Sequence, residues 1–167
     1  MKPIKIGIAG MGTVASGVVK VLERNQAEIT RRAGRGIEVA VVCERTPGRA
    51  AHLEERGVEV INDLSQLASH PDVDIVVELI GGYEPARSFV LEAIANGKHV
   101  VTANKALLAE HGNEIFQAAQ DKGVTVAFEA AVAGGIPVIK ALREGLSANR
   151  IEWIAGIING TTNFILT

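Results

Sequence analysis

The chain has 167 residues, room for one substantial core or for one domain and the start of another. Apolar residues make up 47% and charged residues 22%, the balance of a soluble globular protein, which excludes a disordered chain. Seventeen Lys and Arg against nineteen Asp and Glu leave a net charge of -2, so no basic field draws in nucleic acid, and 4% aromatics are too few for a base-stacking platform.

One cysteine, Cys43, excludes an internal disulfide framework and a paired-cysteine metal or redox site, and fits a reducing, cytoplasmic compartment. The opening residues carry charges and glycines too early for a signal peptide. No window approaches the ~18 uninterrupted apolar residues of a membrane span. Eighteen glycines against five prolines sit singly or in pairs at the ends of apolar runs, where tight turns and close backbone approaches are made. The chain stops at Thr167 inside an apolar run with no polar tail, which reads as an interrupted protein.

Short β-branched runs alternate with helical stretches. The runs fall at 4–9, 37–43, 58–61, 73–80, 99–102, 124–128 and 151–158. Several are apolar on successive residues, as strands covered on both faces are. Val14, Val18, Val19, Val21 and Leu22 predict an apolar stripe on the first helix, and Pro85 takes the first position of a helix closed by Gly97. Gly112-Asn113 divides a helix at 105–111 from another at 114–122. Such alternation predicts an α/β fold, a doubly wound parallel sheet of the Rossmann type with right-handed crossovers. The pattern changes near Ala133, where Gly134-Gly135-Ile136-Pro137 opens a further helix and a strand follows Trp153. The boundary expected is 1–132 for the domain built on this sheet and 133–167 for the first elements of a second, α+β domain.

The first strand runs into Gly10-Met11-Gly12-Thr13-Val14-Ala15 and then a helix, the G-x-G-x-x-G/A fingerprint in its strand–turn–helix setting. Gly10 permits the turn. Gly12, with the backbone of Thr13 and Val14, lets amides approach a pyrophosphate at the positive end of the helix. Ala15 stands where only a small residue is needed. At the end of the second strand, Glu44 can hold ribose hydroxyls, favouring NAD, whereas Arg45 or Arg49 can pair with a 2′-phosphate, favouring NADP; a solvated charged turn is the other reading. Arg31, Arg32 and Arg35 read as a solvated loop.

Ligands of such a sheet lie at the carboxyl ends of its strands. Gly81-Gly82 follow the fourth, suited to backbone passing close to a nicotinamide. Thr102-Ala103-Asn104-Lys105 follow the fifth. Lys105 begins a helix, where a cation opposes the helix dipole unless it faces an anionic or developing-oxyanion substrate. Thr102 and Asn104 are either cofactor contacts or helix caps. Glu129, before a glycine-rich stretch, can hold a hard cation or cap the helix that opens at Pro137. The four histidines have no ligand spacing.

Four stretches together resemble homoserine dehydrogenase: Gly10 to Ala15, Val101-Thr102-Ala103-Asn104-Lys105-Ala106-Leu107-Leu108-Ala109, Phe128 to Pro137, and the final Gly156-Ile157-Ile158-Asn159-Gly160-Thr161-Thr162-Asn163-Phe164-Ile165-Leu166-Thr167. The resemblance spans nearly the whole chain. It implies NAD(P)-dependent interconversion of L-homoserine and L-aspartate 4-semialdehyde, on the route to threonine and methionine. It implies a Rossmann domain followed by a substrate domain through which the family dimerises, with a homodimer or tetramer expected of the full-length enzyme and no nucleic-acid or membrane partner. By the same resemblance, Lys105 lies near the reacting carbonyl and Arg45 near the adenosine phosphate, which favours NADP. A monovalent cation, typically sodium, would bind the Glu129 side chain and the carbonyls of Val132, Gly134 and Ile136. Thr161 would approach the substrate. The departures are Ala15 where the family has glycine and a variation at Ala131 and Ala133, and the family's downstream acidic residues and second lysine have no counterpart in these 167 residues. The chain is therefore expected to bind cofactor and to lack full catalytic machinery. The rival readings are another Rossmann reductase, whose lysine sits in a Glu-Lys-Pro sequence, and a non-catalytic dinucleotide sensor.

Overall fold

The computed structural model describes residues 1–156. Six strands, β1 (Ile4–Ala9), β2 (Ile37–Cys43), β3 (Glu59–Ile61), β4 (Ile75–Glu78), β5 (His99–Thr102) and β6 (Val126–Ala127), form one sheet in the order β3-β2-β1-β4-β5-β6. Every pairing is parallel. This is the doubly wound order, reversing between β1 and β4 and opening a crevice at their carboxyl ends.

Successive strand residues point to opposite faces, and both faces are covered. Ile6, Ile8, Val42 and Val77 pack beneath Ala15 and Val19 of α1 (Thr13–Arg24) and Leu53 of α3 (Ala51–Glu54). Ala9, Val41, Val76, Val100 and Val126 face α4 (Leu64–Ser69), α5 (Ala86–Ala95) and α6 (Lys105–Lys122), whose Leu67, Phe89, Ile94, Leu107 and Ile115 are buried. Burying one such side chain contributes about 1.5–3 kcal/mol, so this pair of layers carries the fold. Among the described residues the last of the buried core is Val126.

The expected strands at 4–9, 37–43 and 99–102 have those bounds, while β3, β4 and β6 are shorter than the apolar runs that contain them. Four expectations about the helices are corrected. The helix α6 is continuous through Gly112, because Leu107, Gly112, Ile115 and Ala119 keep one buried stripe in helical phase. On α1 the buried stripe is Ala15 and Val19 flanked by Val18 and Leu22, whereas Val14 and Val21 are 57% and 45% exposed. The sequence around Arg31 and Arg32 is the end of α2 (Gln26–Ala33), with both guanidinium groups paired to Glu28 in solvent. Pro85 stands at the N-cap of α5 rather than inside it.

After β6 the chain makes a 3-10 turn at Glu129–Ala131, then α7 (Val138–Lys140), which continues into one π turn at Ala141–Gly145. The strand expected at 151–158 is absent over 151–156, which pair with no strand; the remainder lies outside the described residues.

Candidate functional site

Gly10 ends β1 in the left-handed region, φ +89°, and a Cβ there would sit 3.1 Å from the Leu79 carbonyl. A side chain at this point is excluded by conformation and by the close passage of β4. Its N–H donates to the Cys43 carbonyl at 2.9 Å, so Gly10 shapes the turn and has no amide left for a ligand. Gly12 differs. Its backbone is extended and a Cβ would meet no protein atom within 4 Å. The protein itself does not require glycine there; the space is open at the N-terminus of α1, where Thr13 and Val14 are also exposed residues. This cradle fits a pyrophosphate in shape and in the sign of the helix dipole. Ala15, fully buried against the sheet, meets the need for a small third residue.

The turn is latched to the end of β2. Glu44 accepts the Met11 N–H at 2.8 Å through Oε2 and the Thr46 N–H at 2.8 Å through Oε1, with the Arg49 guanidinium 3.8 Å away. Burial pushes this carboxyl up, but the N–H bonds from Thr46 and Met11 and the charge of Arg49 outweigh it and hold the group below the usual carboxylate range. Each Glu44 oxygen thus holds one of the protein's own amides. Arg45 is exposed beside it, and both line a cleft of about 230 Å³ with Gly10, Gly12, Arg49 and Ile80.

Across the crevice, the strand ends are joined by a buried network that sequence reasoning missed. Glu78 closes β4 with no exposed surface. Its Oε1 accepts the N–H groups of Ile80 at 2.8 Å and Gly81 at 3.2 Å, and its Oε2 accepts the Thr102 hydroxyl at 2.6 Å. Thr102 Oγ1 in turn accepts the Asn104 N–H at 3.0 Å. Asn104 caps α6 by accepting the Leu107 N–H at 3.1 Å, and its Nδ2 donates to the Gly82 carbonyl at 2.7 Å. Thr102, expected at the cofactor, is therefore turned inward and wholly buried, and Asn104 is the helix cap. The signal for Glu78 was available as a lone carboxylate in an otherwise apolar strand, since a charge is buried only where partners await it.

Lys105 is exposed at the first position of α6, beyond the walls of the cleft. The Glu129 carboxylate accepts the N–H groups of Ile139 at 2.9 Å and Lys140 at 3.0 Å, so it holds the start of α7 as a cap does. Each of its oxygens keeps a second lone pair. Val132, Gly134 and Ile136 lie exposed in the turn between, where Ala133 and Gly135 have φ of +50° and +89°. Among the described residues no three His, Cys, Asp or Glu side chains gather as a metal cluster. Thr161 lies outside the described residues.

Strand order, glycine turn and crevice define a Rossmann-type dinucleotide-binding domain. The family model for the NAD-binding domain of homoserine dehydrogenase matches residues 10–129, and a second, for homoserine dehydrogenase, matches residues 137–167. A homoserine dehydrogenase of Pseudomonas aeruginosa is 64% identical over all 167 residues, and one of Neisseria gonorrhoeae is 56% identical over the same span. The crystal structure of a homoserine dehydrogenase from Thiobacillus denitrificans superposes with a TM-score of 0.91 at 63% identity, covering 99% of this chain and 38% of that one. The chain belongs to the homoserine dehydrogenase family. It spans 38% of the length of each of those two bacterial relatives.

Proposed function

We propose that this chain is the cofactor half of a homoserine dehydrogenase, binding NADP(H) for the interconversion of L-homoserine and L-aspartate 4-semialdehyde. Residues 1–132 form the cofactor domain and 133–167 begin the substrate domain. The observation that carries this reading is the space above Gly12, which nothing in the protein fills, opening onto the same cleft as Arg45. The amides of Gly12, Thr13 and Val14 bind the pyrophosphate. Arg45, exposed on the same cleft, is the group for the 2′-phosphate, which favours NADP over NAD. When bound, the nicotinamide supplies the hydride chemistry. Lys105 holds the oxygen of the reacting carbonyl as it gains negative charge. Glu129, with the carbonyls of Val132, Gly134 and Ile136, holds a sodium ion that fixes the junction between the two domains. Thr161 approaches the substrate. The whole enzyme works in the cytoplasm as a homodimer or tetramer; no helix of the described residues is long and apolar enough to cross a membrane.

Titration of the chain with NADPH and NADH tests this reading. NADPH binds more tightly, and Arg45→Ala weakens NADPH about tenfold, the scale of one charge-assisted phosphate contact, while leaving NADH nearly unchanged. Equal weakening of both removes Arg45 from the 2′-phosphate, and a chain that binds neither dinucleotide overturns the function. The 167 residues alone bind cofactor without oxidising homoserine; measurable NADP-dependent oxidation by them overturns that division of labour.

A further inference from the structure

Glu78 is a carboxylate with no exposed surface whose three hydrogen-bond partners, the amides of Ile80 and Gly81 and the hydroxyl of Thr102, are all neutral. Such a group is costly to bury, and an apolar side chain would serve a sheet interior as well. Its place is specific. It ends β4 opposite Ala9 of β1 on one side and Thr102 of β5 on the other, at the point where the strand order reverses. Its bonds go to Ile80 and Gly81, just past the end of β4, and to Thr102, the last residue of β5.

We propose that Glu78 is a positioning residue for the nicotinamide half of the cofactor, acting through Thr102 and Asn104; this rests on the cofactor-binding reading above. One oxygen fixes the start of the Ile80–Gly81–Gly82 turn, in which both glycines are left-handed, φ +80° and +72°, and a Cβ on either would meet no protein atom within 4 Å. The other oxygen orients the Thr102 hydroxyl, so that its lone pair takes the Asn104 N–H. Asn104 then closes the loop by donating to the Gly82 carbonyl while capping the helix that begins with Lys105. The floor of the crevice and the position of Lys105 are thereby set by one rigid ring of hydrogen bonds. The adenosine half is held elsewhere, by the Gly12 cradle and Arg45 at the ends of β1 and β2, and does not depend on this ring.

That separation supplies the test. The chain is titrated with NADPH and with 2′,5′-ADP, which carries the adenosine and its 2′-phosphate but no nicotinamide. Thr102→Val, which keeps the shape and removes the hydroxyl, weakens NADPH about tenfold, the scale of one buried charge-assisted hydrogen bond. Binding of 2′,5′-ADP stays unchanged and also reports that the variant is folded. Thr102→Ser restores NADPH binding. Glu78→Gln, the second variant, shows the same selective loss. If Thr102→Val and Glu78→Gln weaken both ligands equally, or neither, or if Thr102→Ser fails to rescue, the ring is only structural and the proposal is wrong. A wild-type chain that binds neither ligand instead overturns the cofactor reading itself.

Discussion

Glu44 and Met11, 33 residues apart, are joined by a 2.8 Å hydrogen bond from the Met11 amide to the Glu44 carboxylate. The bond fastens the glycine turn after β1 to the loop after β2, the two segments that meet the adenosine side of the crevice. It also sets a pH dependence.

The Glu44 carboxyl is held low, so its contribution to stability is complete above the unfolded value of about 4.3 and is lost as the pH falls through the lower folded value. Glu44→Gln is expected to cost about 1.5–3 kcal/mol near pH 7, the range for hydrogen bonds to a charged acceptor. Thermal melts of both proteins at about pH 7 and about pH 3 measure this. The gap between them should narrow in acid as the wild-type carboxylate protonates; a gap of constant size contradicts the assignment.

Gly12 separates folding from binding. Since a Cβ there meets nothing and the backbone is extended, Gly12→Ser folds as well as the parent, and its hydroxyl can cap α1. The same side chain fills the pyrophosphate cradle and competes for its amides. The expected result is an unchanged or slightly raised Tm with NADPH affinity reduced about tenfold or more. At Gly10 the positive φ and the Leu79 carbonyl at 3.1 Å make Gly10→Ser destabilising first. Melting curves and dinucleotide titration on the two variants distinguish these outcomes, and a Gly12→Ser chain that binds normally removes the cradle.

The sequence made the cofactor side of this site readable because its devices are local. A strand, a glycine turn and a helix follow one another within 24 residues, and the spacing of Gly10, Gly12 and Ala15 carries the function. The opposite wall depends on pairs brought together by the sheet, Glu78 with Thr102 and Asn104 with Gly82, separated by 24 and 22 residues. The lone carboxylate of Glu78 marks a group that needs partners, but nothing in the local pattern names them. Spacing along the chain therefore leaves Thr102 open between a cofactor contact and a cap, and sets Glu78 inside an apolar run. The double role of Glu44 was hidden for the same reason: proximity to Met11 is a property of β1–β2 pairing, not of spacing along the chain.

Cys43 lines the same cleft and is buried. Burial, with added repulsion from Asp63 and Glu44, pushes its thiol up to about 11. The nucleophilic thiolate is therefore nearly absent near pH 8. A chromogenic disulfide reagent should label the native chain far more slowly than the chain unfolded in guanidinium. Rapid native labelling at a rate typical of a free thiol would contradict the burial.

Gly112 interrupts the sequence pattern of α6 without interrupting the helix. It is buried in the middle of 18 helical residues, and a Cβ would lie 3.4 Å from the edge of the Phe116 ring, one turn further on. Phe116 is 37% exposed with its ring packed on Phe128, and 3.4 Å is an ordinary contact that asks little movement of it. A glycine inside a helix costs about 0.5–1 kcal/mol relative to alanine, mainly through the freedom it allows the unfolded chain. Gly112→Ala is accordingly expected to raise the stability of the chain by about 0.5–1 kcal/mol, read as a higher urea midpoint with an unchanged slope. Because α6 carries Lys105 at its far end, dinucleotide affinity should not change. A lower midpoint would mean that Phe116 cannot move and that the glycine is required for the packing of α6 against the sheet.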